Sequence, residues 1–124
     1  MKETGIVIVS HVYGIAEGIH TLIQEVAKNV NIEISGGVSK TEVGTSFEDI
    51  LEAVNENPSN KLLAFYDLGS ARMNLEMVKE LTDKTITIYD VPIVEGAYTA
   101  AALLQAAVSQ TDIDSQLKEL QIEK

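Results

Sequence analysis

At 124 residues, 45% of them hydrophobic and with only two prolines and eight glycines, the chain has the makeup of one globular domain, 1–124, and not of a disordered or fibrous protein. Nineteen acidic against nine basic residues give a formal net charge of −10, a field that repels nucleic acid and anionic lipid surfaces. The lack of cysteine excludes disulfides, Cys-ligated zinc and thiol catalysis.

The amino terminus, Met1-Lys2-Glu3-Thr4, carries no signal-peptide pattern, and no segment approaches the roughly 20 apolar residues that span a bilayer, so the expected location is the cytoplasm. Gly5 to Ser10 is a continuous apolar, β-branched run, as in a strand covered on both faces. Ile15, Ile19, Leu22, Ile23 and Val26 then recur at helical spacing and predict an amphipathic helix over 14–29. Asn31 to Ser35 alternates apolar and polar residues, the pattern of an edge strand, and Gly36-Gly37 ends it.

After a loop, Thr45 or Ser46 is placed to cap a helix with the apolar face Phe47, Ile50, Leu51 and Val54, which Asn57-Pro58 terminates. Leu62 to Tyr66 is again continuously apolar. Asp67-Leu68-Gly69-Ser70 forms a turn, with Ser70 expected to cap a helix bearing Met73, Met77, Val78 and Leu81. Thr85 to Tyr89 alternates like the second strand. Asp90-Val91-Pro92 leads into an Ala-rich helix over 94–109, and Ile113, Leu117 and Leu120 mark a short final helix.

Strands that alternate with helices predict an α/β fold with a mainly parallel four-stranded sheet and helices on both faces. The continuously apolar first and third strands belong in the centre and the alternating second and fourth at the edges, which gives the order 2-1-3-4. Such an order has a switch point between strands one and three, and ligands of open α/β sheets collect there, outside the carboxyl ends of the strands. His11 and Asp67 occupy those two strand ends.

A neutral imidazole is a nucleophile at cytoplasmic pH. A carboxylate that accepts a hydrogen bond from one ring nitrogen leaves the other free to attack. A phosphoryl group on His11 would lie near three predicted helix starts, at Val12-Tyr13-Gly14, Gly44-Thr45-Ser46 and Gly69-Ser70. Helix amino termini hold phosphate through unpaired N–H groups, with no metal or lysine required. Each feature also has a plain reading, with His11 a turn residue, Asp67 a turn former and the glycine-hydroxyl pairs ordinary helix starts. His20 lies off the apolar stripe and reads as a bystander. The alanines from Ala97 to Ala107 suit core packing or a subunit interface. No Walker-type or dinucleotide glycine motif is present, and the acidic pair of a response-regulator receiver is replaced by Ser10-His11.

Gly5 to His11, Val43-Gly44-Thr45-Ser46, Tyr66 to Ala71 and Pro92 to Gly96 together resemble, over nearly the whole chain, the mannose-type IIA phosphotransferase family. The branch that serves phosphoenolpyruvate-dependent dihydroxyacetone kinases is the most similar. The resemblance implies that His11 is the phosphorylated residue, that Asp67 accompanies it, and that Gly44, Thr45, Ser46, Gly69 and Ser70 surround the phosphate. It also implies a homodimer, phospho-HPr as donor, and ADP on the DhaL subunit as acceptor. ATP formed there would phosphorylate dihydroxyacetone on DhaK. ADP and Mg2+ would belong to DhaL, leaving this chain without metal or cofactor of its own. Many sequences of this branch carry Ser where Val12 follows the histidine here, which removes one hydroxyl from the phosphate's surroundings. Two other readings share the site: a IIA subunit that phosphorylates the IIB domain of a sugar permease, and a regulatory module that binds an anion without turnover.

Overall fold

The computed structural model describes residues 3–124. Its elements follow in the order β1 (Thr4–Ser10), α1 (Tyr13–Gln24), β2 (Ile32–Gly36), α2 (Phe47–Glu56), β3 (Lys61–Tyr66), α3 (Gly69–Leu81), β4 (Thr85–Tyr89), α4 (Ile93–Gln105) and α5 (Gln110–Lys118). The strands form one parallel sheet in the order β2-β1-β3-β4, as their apolar patterns predict. Val9 pairs with Ser35 on one side and with Tyr66 on the other, so β1 and β3 end side by side.

The alternation of side chains along a strand sends them to two separate cores. Ile6 and Ile8 of β1 with Leu63 and Phe65 of β3 pack under α1, α4 and α5. Val7 and Val9 with Leu62, Ala64 and Tyr66 pack under α2 and α3. Ala97, Ala100 and Ala101 are fully buried, so this part of the Ala-rich stretch is core and lets α4 lie close to the sheet.

Three helices differ from their predicted form. Helix α1 stops at Gln24, because i→i−3 bonds from Val26 to Ile23 (3.1 Å) and from Ala27 to Gln24 (3.3 Å) tighten the chain toward β2. Its buried residues are Ala16, Ile19 and Ile23, while Ile15 and Leu22 remain 45% and 46% exposed. On α3 the buried stripe is Ala71, Leu75 and Val78, and Met73, Met77 and Leu81 face outward. In both helices a small alanine joins the buried stripe, a contribution that large-residue periodicity overlooks. Helix α4 ends at Gln105, four residues before the predicted 109. Ala107 adopts φ 61°, with Ala107 N–H bonded to Leu104 and Val108 N–H to Leu103, both at 3.0 Å. This is a Schellman close with alanine where glycine is usual.

No helix among the described residues is long and apolar enough to cross a membrane.

Candidate active site

The site lies where β1 and β3 release the chain. Ser10, the buried last residue of β1, donates its hydroxyl to Asp67 Oδ2 at 2.7 Å, and the backbone N–H of His11 donates to the same oxygen at 2.9 Å. The His11 ring meets Asp67 Oδ1 through Nδ1 at 2.8 Å, and Leu68 N–H donates to that oxygen at 2.7 Å. Asp67 therefore sits at the centre of a complete set of donors drawn from both sides of the switch point. Burial opposes its charge, but the donors from His11, Ser10 and Leu68 outweigh that effect and hold its carboxyl below the usual carboxylate range.

A carboxylate in this state only accepts, so the ring proton resides on Nδ1. Nε2 of the neutral ring then carries the lone pair, and the Ser70 hydroxyl donates to it at 2.7 Å. Both the His11 and Asp67 side chains are 15% exposed, which leaves the pair ordered yet reachable from solvent. Nε2 is held by nothing stronger than one rotatable hydroxyl.

The other expected site residues play unequal parts. Gly44 adopts φ 135°, and its N–H donates to the carbonyl of His11 at 2.8 Å. That N–H therefore fixes the backbone of the histidine and is committed. Ser46 caps α2 by accepting from Asp49 N–H at 3.2 Å, so of the two predicted caps Ser46 is the one used. Thr45 accepts from the Asn74 side chain of α3 at 2.9 Å, which ties the loop to the helix carrying Ser70. Ser70 does not cap α3: the N-cap is Leu68, whose side chain has no acceptor, and Ser70 lies within the first turn with its hydroxyl on the histidine. Gly69 opens α3, and Val12 N–H is taken up by Ser10 Oγ at 3.1 Å. His20 stands on α1, apart from these residues.

Several residues at this end of the sheet escaped the sequence reading. Ser10 was hidden as the last letter of a strand, although a lone hydroxyl closing an apolar central run is a usable signal. Asp90 follows β4 as His11 follows β1, and it accepts from the Tyr66 hydroxyl and from Arg72. Lys124 folds back to the ends of β3 and β4, where its ammonium bonds the carbonyls of Tyr66 and Val91 and feels the attraction of Asp67 and Asp90. Nothing in local spacing could place it there.

The geometry defines an open α/β protein with a histidine braced by a carboxylate across the switch point of a parallel sheet. Residues 5–113 match the EIIA-man family, described as PTS system fructose IIA component, and the chain belongs to that family. Among known proteins it is 53% identical, over 97% of this chain and 98% of the relative, to the phosphotransferase subunit DhaM of the PTS-dependent dihydroxyacetone kinase of Lactococcus lactis. It is 42% identical, over 98% of each chain, to DhaM, the phosphoryl donor subunit of PEP-dependent dihydroxyacetone kinase 1 of Listeria innocua. A crystal structure of a protein of unknown function superposes with a TM-score of 0.81 at 30% identity, covering 96% of this chain and 93% of the other.

Proposed function

We propose that this chain is the phosphoryl-donor subunit of a phosphoenolpyruvate-dependent dihydroxyacetone kinase, a single cytoplasmic domain that carries the phosphoryl group on Nε2 of His11. The bond from phosphorus to the histidine of phospho-HPr breaks as the bond to Nε2 forms. The proton on Nδ1 stays in its hydrogen bond to Asp67, which stabilises positive charge on the ring. In the second step the bond to Nε2 breaks as an oxygen of ADP, held with Mg2+ on DhaL, takes the phosphoryl group. ATP formed there serves dihydroxyacetone on DhaK, so the sugar does not meet this chain.

The observation that carries the reading is the fixed polarity of the ring, with Nδ1 on Asp67 Oδ1 at 2.8 Å and Nε2 turned to a displaceable hydroxyl. Phosphoryl transfer needs little covalent help from the protein, and positioning with electrostatic stabilisation is the main requirement. Before attack the Ser70 hydroxyl rotates off Nε2, and it can then donate to an oxygen of the incoming group, beside the first turn of α3. Gly44 and Thr45 support the site by fixing the His11 backbone and the loop against α3, while Ser46 caps α2. The names of the relatives at 53% and 42% identity support the kinase as the destination.

In this reading the protein acts as a homodimer. Exposed Ile15 and Leu22 of α1 and Val94 and Tyr98 of α4 supply apolar surface on two helices that pack together. Analytical ultracentrifugation at micromolar concentration should give twice the chain mass, and a monomer there refutes this part.

The central test mixes the protein with phosphoenolpyruvate, enzyme I and HPr. An acid-labile, base-stable phosphate should form on the wild type and be absent from His11→Ala; label that persists in the variant refutes the proposal. The labelled protein should discharge to DhaL with ADP and not to a permease IIB domain. The opposite preference would make it a permease subunit, and the absence of any label would leave an anion-binding module.

A further inference from the structure

We propose that Lys124 is a positioning residue for His11, its ammonium clamping the ends of β3 and β4 beside Asp67 and offsetting the negative charge that accumulates there when the ring is phosphorylated. The inference rests on the reading of His11 as the phosphoryl carrier.

The placement is specific. Lys124 Nζ donates to the carbonyl of Tyr66 at 2.5 Å and to that of Val91 at 2.7 Å, joining the last residue of β3 to the segment that follows β4. It stands over the Tyr66 ring, 4.1 Å from the centroid, in a cation-π contact. Tyr66 immediately precedes Asp67, the residue that holds Nδ1. The backbone of Lys124 also lies against the start of α3: a Cβ added to Gly69 would stand 3.2 Å from the Lys124 carbonyl oxygen. Gly69 immediately precedes Ser70, the residue that holds Nε2. One residue thus touches the chain directly before each of the two side chains that grip the imidazole.

The choice of a cation at this point has an electrostatic reason. Two carbonyls can be satisfied by neutral donors, and partial burial of an ammonium is costly. That burial lowers the Lys124 pKa, while the attraction of Asp67 and Asp90 opposes the shift. Arg72, the other cation nearby, is engaged by Asp90 and Glu76. Lys124, held at the carbonyl of Tyr66 directly before Asp67, is attracted by that carboxylate. A phosphoryl group on Nε2 brings close to two negative charges next to that carboxylate, in a protein whose net charge is already −10. A fixed ammonium relieves this repulsion without occupying the phosphate's own place, which leaves the group free to depart.

The experiment compares wild type, Lys124→Met, Lys124→Gln and Lys124→Arg in single-turnover labelling by phospho-HPr. Met retains the apolar stem over Tyr66 and Gln retains a donor, but both remove the charge; Arg keeps it. The limiting rate should fall ~10-fold in the Met and Gln variants with the half-saturating phospho-HPr concentration unchanged, and Arg should restore it to within ~3-fold of wild type. A charge-free variant that transfers at the wild-type rate overturns the inference, and so does an Arg variant as slow as Met. A second readout needs no phosphoryl donor. Solvent exchange of the His11 Nδ1 proton, followed by NMR, should speed up several-fold in the Met and Gln variants and not in the Arg variant. Unchanged exchange in all three overturns the clamp even if His11 proves not to be the carrier, whereas failure of the wild type to label bears on the carrier reading alone.

Discussion

The two ends of the sheet each bury a polar cluster, and they are built to opposite purposes. At the amino end, buried Asn57 donates through Nδ2 to the carbonyls of Ile6 and Asn31, both at 3.2 Å, and accepts from Ser59 N–H at 3.0 Å. Asn31 donates in turn to Ser59 Oγ at 3.0 Å, and Lys84 Nζ donates to the Asn57 carbonyl. This cluster joins backbone to backbone. At the carboxyl end, Asp67 is equally saturated, but the cluster leads outward to Nε2 of His11, whose partner is a hydroxyl that can rotate away. Buried polarity alone therefore marks no site. What marks one is a reactive atom whose last partner is replaceable.

The comparison can be broken most decisively at Asp67. Asp67→Asn should slow phosphoryl transfer on the order of 100-fold, because the ring loses its anionic partner and with it the fixed tautomer. Stopped-flow or quench-flow labelling measures this, and a change under ~3-fold would refute the role assigned to the carboxylate. The same substitution sharpens the pH dependence of stability. The folded pKa of Asp67 is depressed, so its stabilising contribution is present above the ordinary carboxyl value of 3.8 and is lost as pH falls through the lower folded value. Acid titration monitored by circular dichroism should accordingly show less loss of stability in this window for Asp67→Asn than for the wild type.

The amino-end cluster should respond in stability and not in transfer. Asn57→Ala leaves two carbonyls and an N–H without their side-chain partner and should cost about 2–3 kcal/mol in urea unfolding. Labelling per folded molecule should match the wild type, and a loss of transfer there would erase the distinction between the two ends. Ser70→Ala is a milder cut at the carboxyl end. It should slow labelling by about 3–10-fold, since one donor to the transferring group is lost, with stability within about 0.5 kcal/mol of wild type. The smallest effect belongs to Ala107→Gly, which relieves a left-handed backbone at φ 61° and should add about 0.5–1 kcal/mol without touching transfer.

The pairing of His11 with Asp67 was legible before any coordinates because both follow continuously apolar strands, and such strands have to be neighbours at the centre of the sheet. The role of Ser10 and the contact of Ser70 with the ring itself were not. In the sequence Ser70 reads as a helix cap, and only the structure shows that α3 begins one residue earlier and that the hydroxyl meets Nε2 instead. The apolar faces of α1 and α3 were legible only in part, at Ile19, Ile23 and Val78, for a related reason. Met73, Met77 and Leu81 keep helical period as well as Ala71, Leu75 and Val78 do, and period alone does not say which stripe meets the sheet.

The sequence by itself determined the parallel α/β fold, the strand order and the two residues at the switch point, since these follow from patterns repeated along short stretches of chain. Only the tertiary structure decided the polarity of the imidazole, the commitment of Gly44 to the His11 carbonyl, and the return of Lys124 to the ends of β3 and β4. Those contacts join residues far apart in the chain, and a hydrogen bond depends on distance and direction, which no residue pattern encodes.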